Sequence, residues 1–532
     1  MKNGGLFFAI GCLFMLFVWT QAQTQQAVSS PETKPPTRLF LERADSLTFN
    51  ESVLPDAQIL YGNVVFRHDS SYMYCDSAYF YEVSNSMEAF SNVRMEQGDT
   101  LFVYGQYLFY DGNTRMGYLR ENVRMENNQV TLFTDSLNYD RNADIGYYFE
   151  GGLIVDEENE LSSYYGQYSP TTKLAIFNDS VQLDNPDFIL YSDTLHYYTD
   201  SKIAIILGPS VIVADSGTVY TSRGWYDTVN QTSLLLDRSR IETKNRILTG
   251  DSILYDQASG FGEVFGNMFL QDTTNHVILE GQYGYYDEQI EFGLATDSAR
   301  FLEYGQSDTL FLHADTLQMT TIGENAREIK AFYGVRFYRT DLQGVCDSMQ
   351  FNTQDSILYM FDDPIVWNQN YQLNGDTILV FMGDSTIDRA HIKQFAFAIQ
   401  EQMPDSSFYN QLKGNDLKAF FSNGAISRIE VEGNAESIFY TAERDGTMIG
   451  LNETQSAFLH MWFKDNLFEK LKLEAASQGV MTPISQLSEE QKKLQDFNWF
   501  DYIRPQDKDD IYVVVKRSVE STPRRSNKFV QQ

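Results

Sequence analysis

The chain of 532 residues carries 40 Lys and Arg against 73 Asp and Glu, a formal net charge of -33 at pH 7. This charge argues against nucleic acid as a partner, because phosphate contacts draw on clustered basic side chains. The 3 Cys are too few for a disulfide scaffold, whereas 33 Tyr and 38 Phe beside only 12 Pro suit extended, half-buried strands.

Residues 1–22 are predicted to be an export signal peptide. Lys2 supplies the positive start, an apolar run follows, and small residues around Ala22 give a cleavage point. A lipoprotein signal with Cys12 as the lipidated residue is the alternative, although the apolar run continues past that cysteine. Residues 23–39 are predicted to be a flexible leader. No later stretch has the roughly 18 apolar residues of a membrane-spanning helix, so the mature chain is expected to be soluble.

Two series of residues recur with one period between residues 40 and 387. In the first series a turn-forming residue precedes an apolar one, at Asn63-Val64, Asn92-Val93, Asn122-Val123, Gly152-Leu153, Ser180-Val181, Ser210-Val211, Arg240-Ile241, Asn267-Met268, Ser298-Ala299, Gly334-Val335 and Pro364-Ile365. The second, mostly aspartate, comprises Asp76, Gln106, Asp135, Gln167, Asp193, Arg223, Asp251, Gln282, Asp315, Asp347 and Asp376. Successive members are 27 to 36 residues apart in the first series and 26 to 33 in the second. Two independent series that share a period of about thirty residues indicate a repeat protein.

Around both series apolar residues alternate with their neighbours, which is the pattern of a β-strand with an inner and an outer face. Each repeat therefore contains at least two strands, and Gly or Asn in the first series suits a bulge or a sharp bend. The residues predicted to face inward are Val64, Phe66, Val93, Met95, Val123, Met125, Val181, Leu183, Val211, Val213, Met268, Leu270, Val335, Phe337, Ile365 and Trp367.

The recurring step of Asp, then Ser or Thr, then an apolar residue, as at Asp135, has two interpretations. Stacked carboxylates could bind calcium, or Asp and Ser could cap turns by bonding nearby backbone N–H groups. Gln106 and Arg223 interrupt the carboxylate series, which favours turns. No metal and no cofactor is therefore predicted. Cys75 and Cys346 occupy the same phase in distant repeats and are expected to be unpaired core thiols.

The pattern changes towards the C-terminus. Residues 388–480 are predicted to be divergent terminal β-repeats, and residues 481–532 a partly helical, basic and disordered tail. The 6 His are scattered, and neither a nucleophile elbow nor a phosphate-binding glycine loop occurs. We therefore predict that the protein is not an enzyme. A β-helix hydrolase with acidic residues from distant repeats is the alternative.

Five motifs carry a resemblance to a known family: Gly62-Asn63-Val64, Ser91-Asn92-Val93, Glu121-Asn122-Val123, Gly266-Asn267-Met268 and Gly433-Asn434-Ala435. They resemble the OstA/LptA-like family of lipopolysaccharide-transport proteins, over most of residues 40–480. The resemblance implies an all-β fold, an elongated and open β-jellyroll in which about thirteen repeats form a V-shaped stack of antiparallel strands. It also implies that the inward residues named above line a lipid-binding groove for acyl chains. The protein would then carry lipopolysaccharide or a related glycolipid through the periplasm towards the outer membrane, with peripheral membrane contact.

An open stack leaves unpaired backbone groups on its terminal strands, so we expect edge-strand augmentation with envelope transport proteins of like fold. The predicted edges lie near Leu47 and Phe49 and at residues 458–463. Alternatively, the leader and the C-terminal segment fold over these edges. The alternative function is a structural or adhesive β-solenoid of the cell envelope with a filled core, because a groove and a core both require inward Val, Phe and Met.

Overall fold

The computed structural model describes residues 37–50, 52, 54–128, 130–304, 308–323, 326–383, 387–402, 408–422, 425–442, 447–464 and 467–517. The predicted signal peptide, most of the predicted leader and residues 518–532 of the predicted tail lie outside the described residues. In the described part the regular structure is antiparallel strand with four short 3-10 helices, so the predicted all-β, antiparallel fold is confirmed. The elongated form stays a prediction. None of the helices described is long and apolar enough to cross a membrane.

The strands follow one another in chain order with short connections. The first twelve are β1 (Phe40–Arg43), β2 (Ser46–Phe49), β3 (Gln58–His68), β4 (Ser71–Tyr81), β5 (Ser86–Gln97), β6 (Leu101–Asp111), β7 (Met116–Asn127), β8 (Val130–Asp140), β9 (Ile145–Tyr148), β10 (Gly152–Asp156), β11 (Asn159–Ser163) and β12 (Tyr165–Ser169). The next twelve are β13 (Leu174–Asn185), β14 (Phe188–Tyr198), β15 (Ile203–Ile206), β16 (Ser210–Ala214), β17 (Gly217–Thr221), β18 (Arg223–Asp227), β19 (Thr232–Glu242), β20 (Arg246–Asp256), β21 (Phe261–Asp272), β22 (Val277–Asp287), β23 (Phe292–Glu303) and β24 (Leu310–Gly323). The last twelve are β25 (Ala326–Arg339), β26 (Leu342–Asn352), β27 (Ile357–Phe361), β28 (Ile365–Asn368), β29 (Tyr371–Asn374), β30 (Thr377–Met382), β31 (Ile387–Glu401), β32 (Tyr409–Ser422), β33 (Ala425–Ala442), β34 (Met448–Lys464), β35 (Leu467–Glu474) and β36 (Gln478–Pro483). The 3-10 helices are Ile484–Gln486, Glu489–Lys492, Asp501–Ile503 and Asp510–Tyr512.

The chain divides into two compact units. Unit one comprises residues 1–157 and 164–173, and unit two comprises residues 158–163 and 174–532. In unit one β1 and β2 both pair with β3, pairing then continues in order from β3 to β8, β8 pairs with β9 and β10, and β9 pairs with β12. Each period of about thirty residues is therefore one hairpin of two strands, as the alternation predicts.

Unit two continues the same scheme. β11 pairs with β13, and β13 pairs with β14. The short strands β15 and β16 together occupy the next strand position, and β17 and β18 together occupy the one after it. Long strands pair in order from β19 to β26. β27 to β30 again divide two positions, β31 to β34 pair in order, and β34 pairs with β35 and β36.

Alternate strands turn a corner at two consecutive residues in the left-handed region. In β5 these are Ser91 (φ 64°) and Asn92 (φ 52°), and the pairing register with β4 shifts at the same point. The equivalent pairs are residues 62–63, 121–122, 179–180, 237–238, 266–267, 297–298, 333–334, 362–363, 394–395, 433–434 and 475–476. At such a pair the bent strand has one residue more than the strand it pairs with, and this β-bulge bends it. The bend predicted at the Gly and Asn positions is confirmed.

The corner divides each strand position into two halves, which belong to two different walls. We call wall A the halves that contain Val64 and Val93, and wall B the halves that contain Ala78 and Ala89. The inner faces of the walls touch, since the ring centroids of Phe66 in wall A and Phe80 in wall B are 5.3 Å apart. The core of each unit is the apolar layer between its two walls.

Candidate functional site

The two sequence series meet at the corner. Asn92 donates from Nδ2 to Asp76 Oδ2 at 2.7 Å, and Asn267 does the same to Asp251 at 2.7 Å. A side chain at Gly266 would begin 2.6 Å from Asp251 Oδ2, and this glycine has a φ of +78°. Glycine therefore suits this position because the carboxylate approaches its backbone closely in a left-handed conformation. These aspartates bind a neighbouring asparagine across the corner.

Twelve of the sixteen residues predicted to face inward lie in the layer between the walls, each 2% exposed or less. They are Val64, Phe66, Val93, Met95, Val123, Met125, Val181, Leu183, Met268, Leu270, Val335 and Phe337. Contacts cross the layer in both units: a side chain at Gly146 of wall B would begin 2.9 Å from Met125 Sδ, and one at Gly284 of wall B 2.4 Å from Met268 Sδ. The layer is filled by protein side chains, and a lipid-binding role for these twelve residues stays a prediction.

The predicted inward orientation of Val211 and Val213 is wrong. Val211 is half-buried and Val213 is 41% exposed, whereas Ile212 between them is fully buried. Ser210 begins the short strand β16, and no residue there adopts the left-handed corner conformation that sets the phase elsewhere. The inward residue of this strand is therefore Ile212.

The predicted inward orientation of Ile365 and Trp367 is also wrong. Both are fully buried, but they pack with Phe500 and Ile503 of the C-terminal segment on the outer face of wall A. Val366 is the inward residue, because it lines an apolar cavity between the walls. The left-handed pair at residues 362–363 comes one position earlier than the predicted turn, so every side chain of β28 changes face.

The cavity lined by Val366 is enclosed by apolar side chains from both walls of unit two. Leu342, Leu373 and Ala398 contribute from wall A, and Ile378 and Leu417 are among those from wall B. Its volume is about 50 Å³, room for a few methylene groups. An acyl chain longer than this must displace side chains or part the walls.

On the side opposite the corner, polar side chains of wall A contact polar side chains of wall B. We call this row of contacts the seam. In unit one His68 at the end of a wall A strand contacts the hydroxyl of Tyr110 in wall B through Nδ1 at 2.6 Å. Tyr139 Oη donates to the Asp144 carboxylate and lies 3.4 Å from Gln97 Oε1, and Tyr168 donates to Asn127 at 3.4 Å. The seam of unit two holds equivalent contacts, such as Asn159 Nδ2 to Tyr197 Oη at 3.0 Å, Gln231 Nε2 to Asp187 Oδ2 at 2.8 Å and Arg327 Nη2 to Asp272 Oδ2 at 2.7 Å.

The seam was missed from the sequence, although it has a periodic signal. Its buried tyrosines are Tyr110, Tyr139, Tyr168, Tyr197 and Tyr226, each 29 residues after the one before. Burial raises the pKa of Tyr139, which keeps its hydroxyl protonated as a donor. Burial lowers the pKa of His68 and the nearby Arg141 guanidinium lowers it further, so this imidazole is neutral at pH 7. These neutral groups contribute to the seam of unit one, whereas the seam of unit two includes the ion pair of Arg327 and Asp272.

The predicted partly helical tail instead covers part of wall A. We call residues 484–517 the strap. Gln411 binds it with both amide atoms, accepting from Leu494 N at 2.7 Å and donating to Lys492 O at 2.7 Å. Gln372 does the same one repeat away, accepting from Phe500 N at 2.7 Å and donating to Asn498 O at 2.9 Å. The strap advances six residues between these two glutamines.

Apolar strap residues fill the outer face between these hydrogen bonds. Leu494 and Phe497 pack on Phe397 and Ile399 of wall A, in addition to the contacts of Phe500 already described. Arg336 then donates to Ile503 O at 3.0 Å, and the ring of Tyr512 lies 4.8 Å from His313. Gln343 also binds the strap, accepting from Arg504 Nε at 2.9 Å. Sequence reasoning missed Gln343, Gln372 and Gln411 in this role, although each lies in wall A and is almost fully buried.

The terminal strands differ at the two ends of the chain. Leu47 and Phe49 lie in β2, are more than half exposed, and pair with β3, as predicted for a first edge. Residues 458–463 lie within β34, and β35 and β36 pair beyond them, so the predicted position of the last edge is wrong. The strap covers part of the outer face of wall A in unit two, while β35 and β36 stay largely exposed.

The fold and these contacts define a β-repeat protein with two facing walls and an apolar layer between them. Residues 36–193 match the model of the family described as OstA-like protein, so the resemblance drawn from the Gly and Asn motifs is confirmed for this part of the chain. LptH, the LptA homologous periplasmic component of the conserved lipopolysaccharide transport device from Pseudomonas aeruginosa, aligns at 14% identity with a TM-score of 0.21. This alignment covers 27% of the present chain and 95% of LptH. No curated protein sequence matches the chain.

Proposed function

We propose that this protein is a non-enzymatic, periplasmic protein of lipopolysaccharide transport that holds acyl chains between its two walls. The observation that carries the proposal is the apolar layer between the walls of each unit, in a chain whose residues 36–193 are OstA-like. Burial of acyl chains contributes about 0.8 kcal/mol per methylene group. Several chains therefore bind in spite of the net charge of -33.

The partners proposed are lipopolysaccharide or a related glycolipid, together with envelope transport proteins of like fold. The exposed strand β2 supports pairing with such a protein, because its outer edge offers backbone groups for a further strand. Such pairing would align the apolar layers of two proteins.

A second function is supported by a different observation. The inner side chains are almost fully buried by other protein side chains, and the rings of Phe66 and Phe80 are in contact across the layer. This arrangement favours a structural or adhesive solenoid of the cell envelope with a filled core. In that case the layer is a folding core only.

Purification from the native envelope followed by mass spectrometry of bound lipid separates the two functions. The transport proposal expects a glycolipid in stoichiometric amount with the protein. A matched sample carrying Val123→Asp tests where the lipid lies, because Val123 is in the layer and 2% exposed. A reproducibly lipid-free wild-type protein contradicts the transport proposal and supports the solenoid.

A further inference from the structure

Three basic side chains reach the seam of unit one from successive turns of wall B. Arg115 Nη2 lies 3.1 Å from Asp69 Oδ2, and the Arg115 side chain is only 8% exposed. Lys173 Nζ donates to Asn127 Oδ1 at 2.5 Å. Arg141 lies between them in sequence. These three basic side chains share the seam with two carboxylates, Asp69 beside Arg115 and Asp144 opposite Gln97.

The hydrogen bonds of Arg141 reach neutral groups of both walls, and its guanidinium also interacts electrostatically with Asp69. Arg141 donates to Tyr110 Oη at 2.6 Å and to Gln97 Oε1 at 3.4 Å, and its Nη1 lies 3.1 Å from His68 Nδ1. All three are neutral groups. By contrast, Arg94 on the outer face of wall A lies 3.1 Å from the Glu96 carboxylate.

The seam is also the side on which the walls can part. At the corner the backbone runs continuously from one wall to the other, whereas at the seam the joining contacts described above are made by side chains. A pair such as His68 and Tyr110 exchanges its hydrogen bond for water when it separates, at a net cost of about 0.5–1.5 kcal/mol. Separation of the walls at the seam exposes the apolar layer, because the rings of Phe66 and Phe80 face each other between the walls.

We propose that the seam of unit one is the entrance and head-group site for an anionic amphiphile. Its acyl chains enter between the walls, and its phosphate or other anionic group binds Arg141 with support from Arg115. The proposal rests on the proposed function, since it requires that the layer accepts lipid. A phosphorylated glycolipid and an anionic glycerophospholipid share this chemistry.

The first experiment closes the seam. Gln97 and Asp144 face each other across it, with Nε2 and Oδ1 3.5 Å apart. Gln97→Cys/Asp144→Cys in a Cys12→Ser background is joined by a short bis-methanethiosulfonate reagent and reopened with dithiothreitol. The native Cys75 and Cys346 are both buried, and burial raises the pKa of each thiol, so neither reacts.

The matched control places the same crosslink within one wall. Glu96→Cys/Phe102→Cys joins two directly paired residues of wall A without spanning the seam. Uptake is measured from vesicles of pyrene-labelled phosphatidylglycerol and from micelles of diphosphoryl lipid A. Crosslinking the seam should lower the rate of uptake about tenfold or more, dithiothreitol should restore it, and the control should keep its rate.

The second experiment tests the head-group contact. Arg141→Gln should weaken uptake of anionic lipid about tenfold, the value of one charge-assisted hydrogen bond, and should leave pyrene-labelled phosphatidylcholine unchanged. Arg94→Gln is the control, because it removes an arginine of wall A away from the seam. Thermal unfolding of each variant shows that it is folded. A larger loss with lipid A than with phosphatidylglycerol identifies the glycolipid as the source, and the reverse identifies the phospholipid.

The outcomes separate this proposal from the one on which it rests. Uptake that is unaffected by a closed seam overturns the entrance and leaves lipid binding intact. Equal losses of anionic and zwitterionic lipid in Arg141→Gln overturn the head-group site. A wild-type protein that takes up none of these lipids overturns both proposals.

Discussion

Replacing Gln372 by Ala should loosen the strap locally while the strands stay folded. The substitution removes the donor to Asn498 O and the acceptor for Phe500 N, and leaves both backbone groups under the strap without their partner. A buried backbone group that loses its partner costs about 1–3 kcal/mol. Two such groups lower the free energy of local opening by at least about 2 kcal/mol, which is roughly thirtyfold in the population of the open form.

Hydrogen exchange read by mass spectrometry measures this opening. Peptides that cover residues 492–503 should lose protection roughly thirtyfold in Gln372→Ala, whereas peptides of β19 to β23 should not change. Gln350→Ala is the matched control, because Gln350 binds Glu328 at 2.6 Å on wall B, away from the strap. Unchanged protection of the strap, or an equal loss in the control, refutes the role of the glutamine contacts.

Three further predictions concern the corner, the inner layer and the seam. Gly266→Ala should lower the free energy of unfolding by about 1–3 kcal/mol in urea titration, because its φ is +78° and the new methyl group would meet the Asp251 carboxylate; a change below about 0.5 kcal/mol contradicts this. Val181→Asp should cost several kcal/mol in the same assay, since it buries an unpaired charge. Val213→Asp, on the exposed side, should stay within about 0.5 kcal/mol, and equal effects of the two would mean that the corrected phase is wrong. The lowered pKa of His68 means that the unfolded chain binds its proton more readily, so this stability is present above about pH 6.5 and is lost as the pH falls below it. His68→Gln should therefore reduce the loss of stability between pH 7 and pH 5, by at most about 1.4 kcal/mol per pH unit, and urea midpoints with the same pH dependence as wild type would refute this.

The repeat and its corner were predictable because both are local. A left-handed pair such as Ser91 and Asn92 requires residues that tolerate positive φ, and those residues leave a mark in the sequence at every period. The inner residues after such a pair, such as Val93, then follow from alternation. The same logic predicts the residues between the walls wherever the corner is regular.

The inward orientation was wrongly predicted where a contact distant in sequence covers the outer side chains, or where no corner fixes the alternation of the strand. Ile365 and Trp367 are as apolar as any inner residue, and they lie outside only because the strap covers them from more than 130 positions later in the chain. Val211 and Val213 follow a strand break without a left-handed pair, so alternation had no fixed starting point. The seam escaped notice because its partners, such as His68 and Tyr110, are 42 residues apart and differ in type from one repeat to the next.

The order of synthesis gives the strap a further consequence. Neighbouring strands are close in sequence, so they can pair as the chain is delivered, with low cost in loop closure. The contacts of the strap form later, because the partner of Gln372 lies 126 residues further along the chain and that of Arg336 lies 167 residues further. Until residues 484–517 have been synthesised, Trp367 and Phe397 form an exposed apolar surface that is prone to association. A chain that ends before residue 484 would therefore expose this surface to chaperones and proteases.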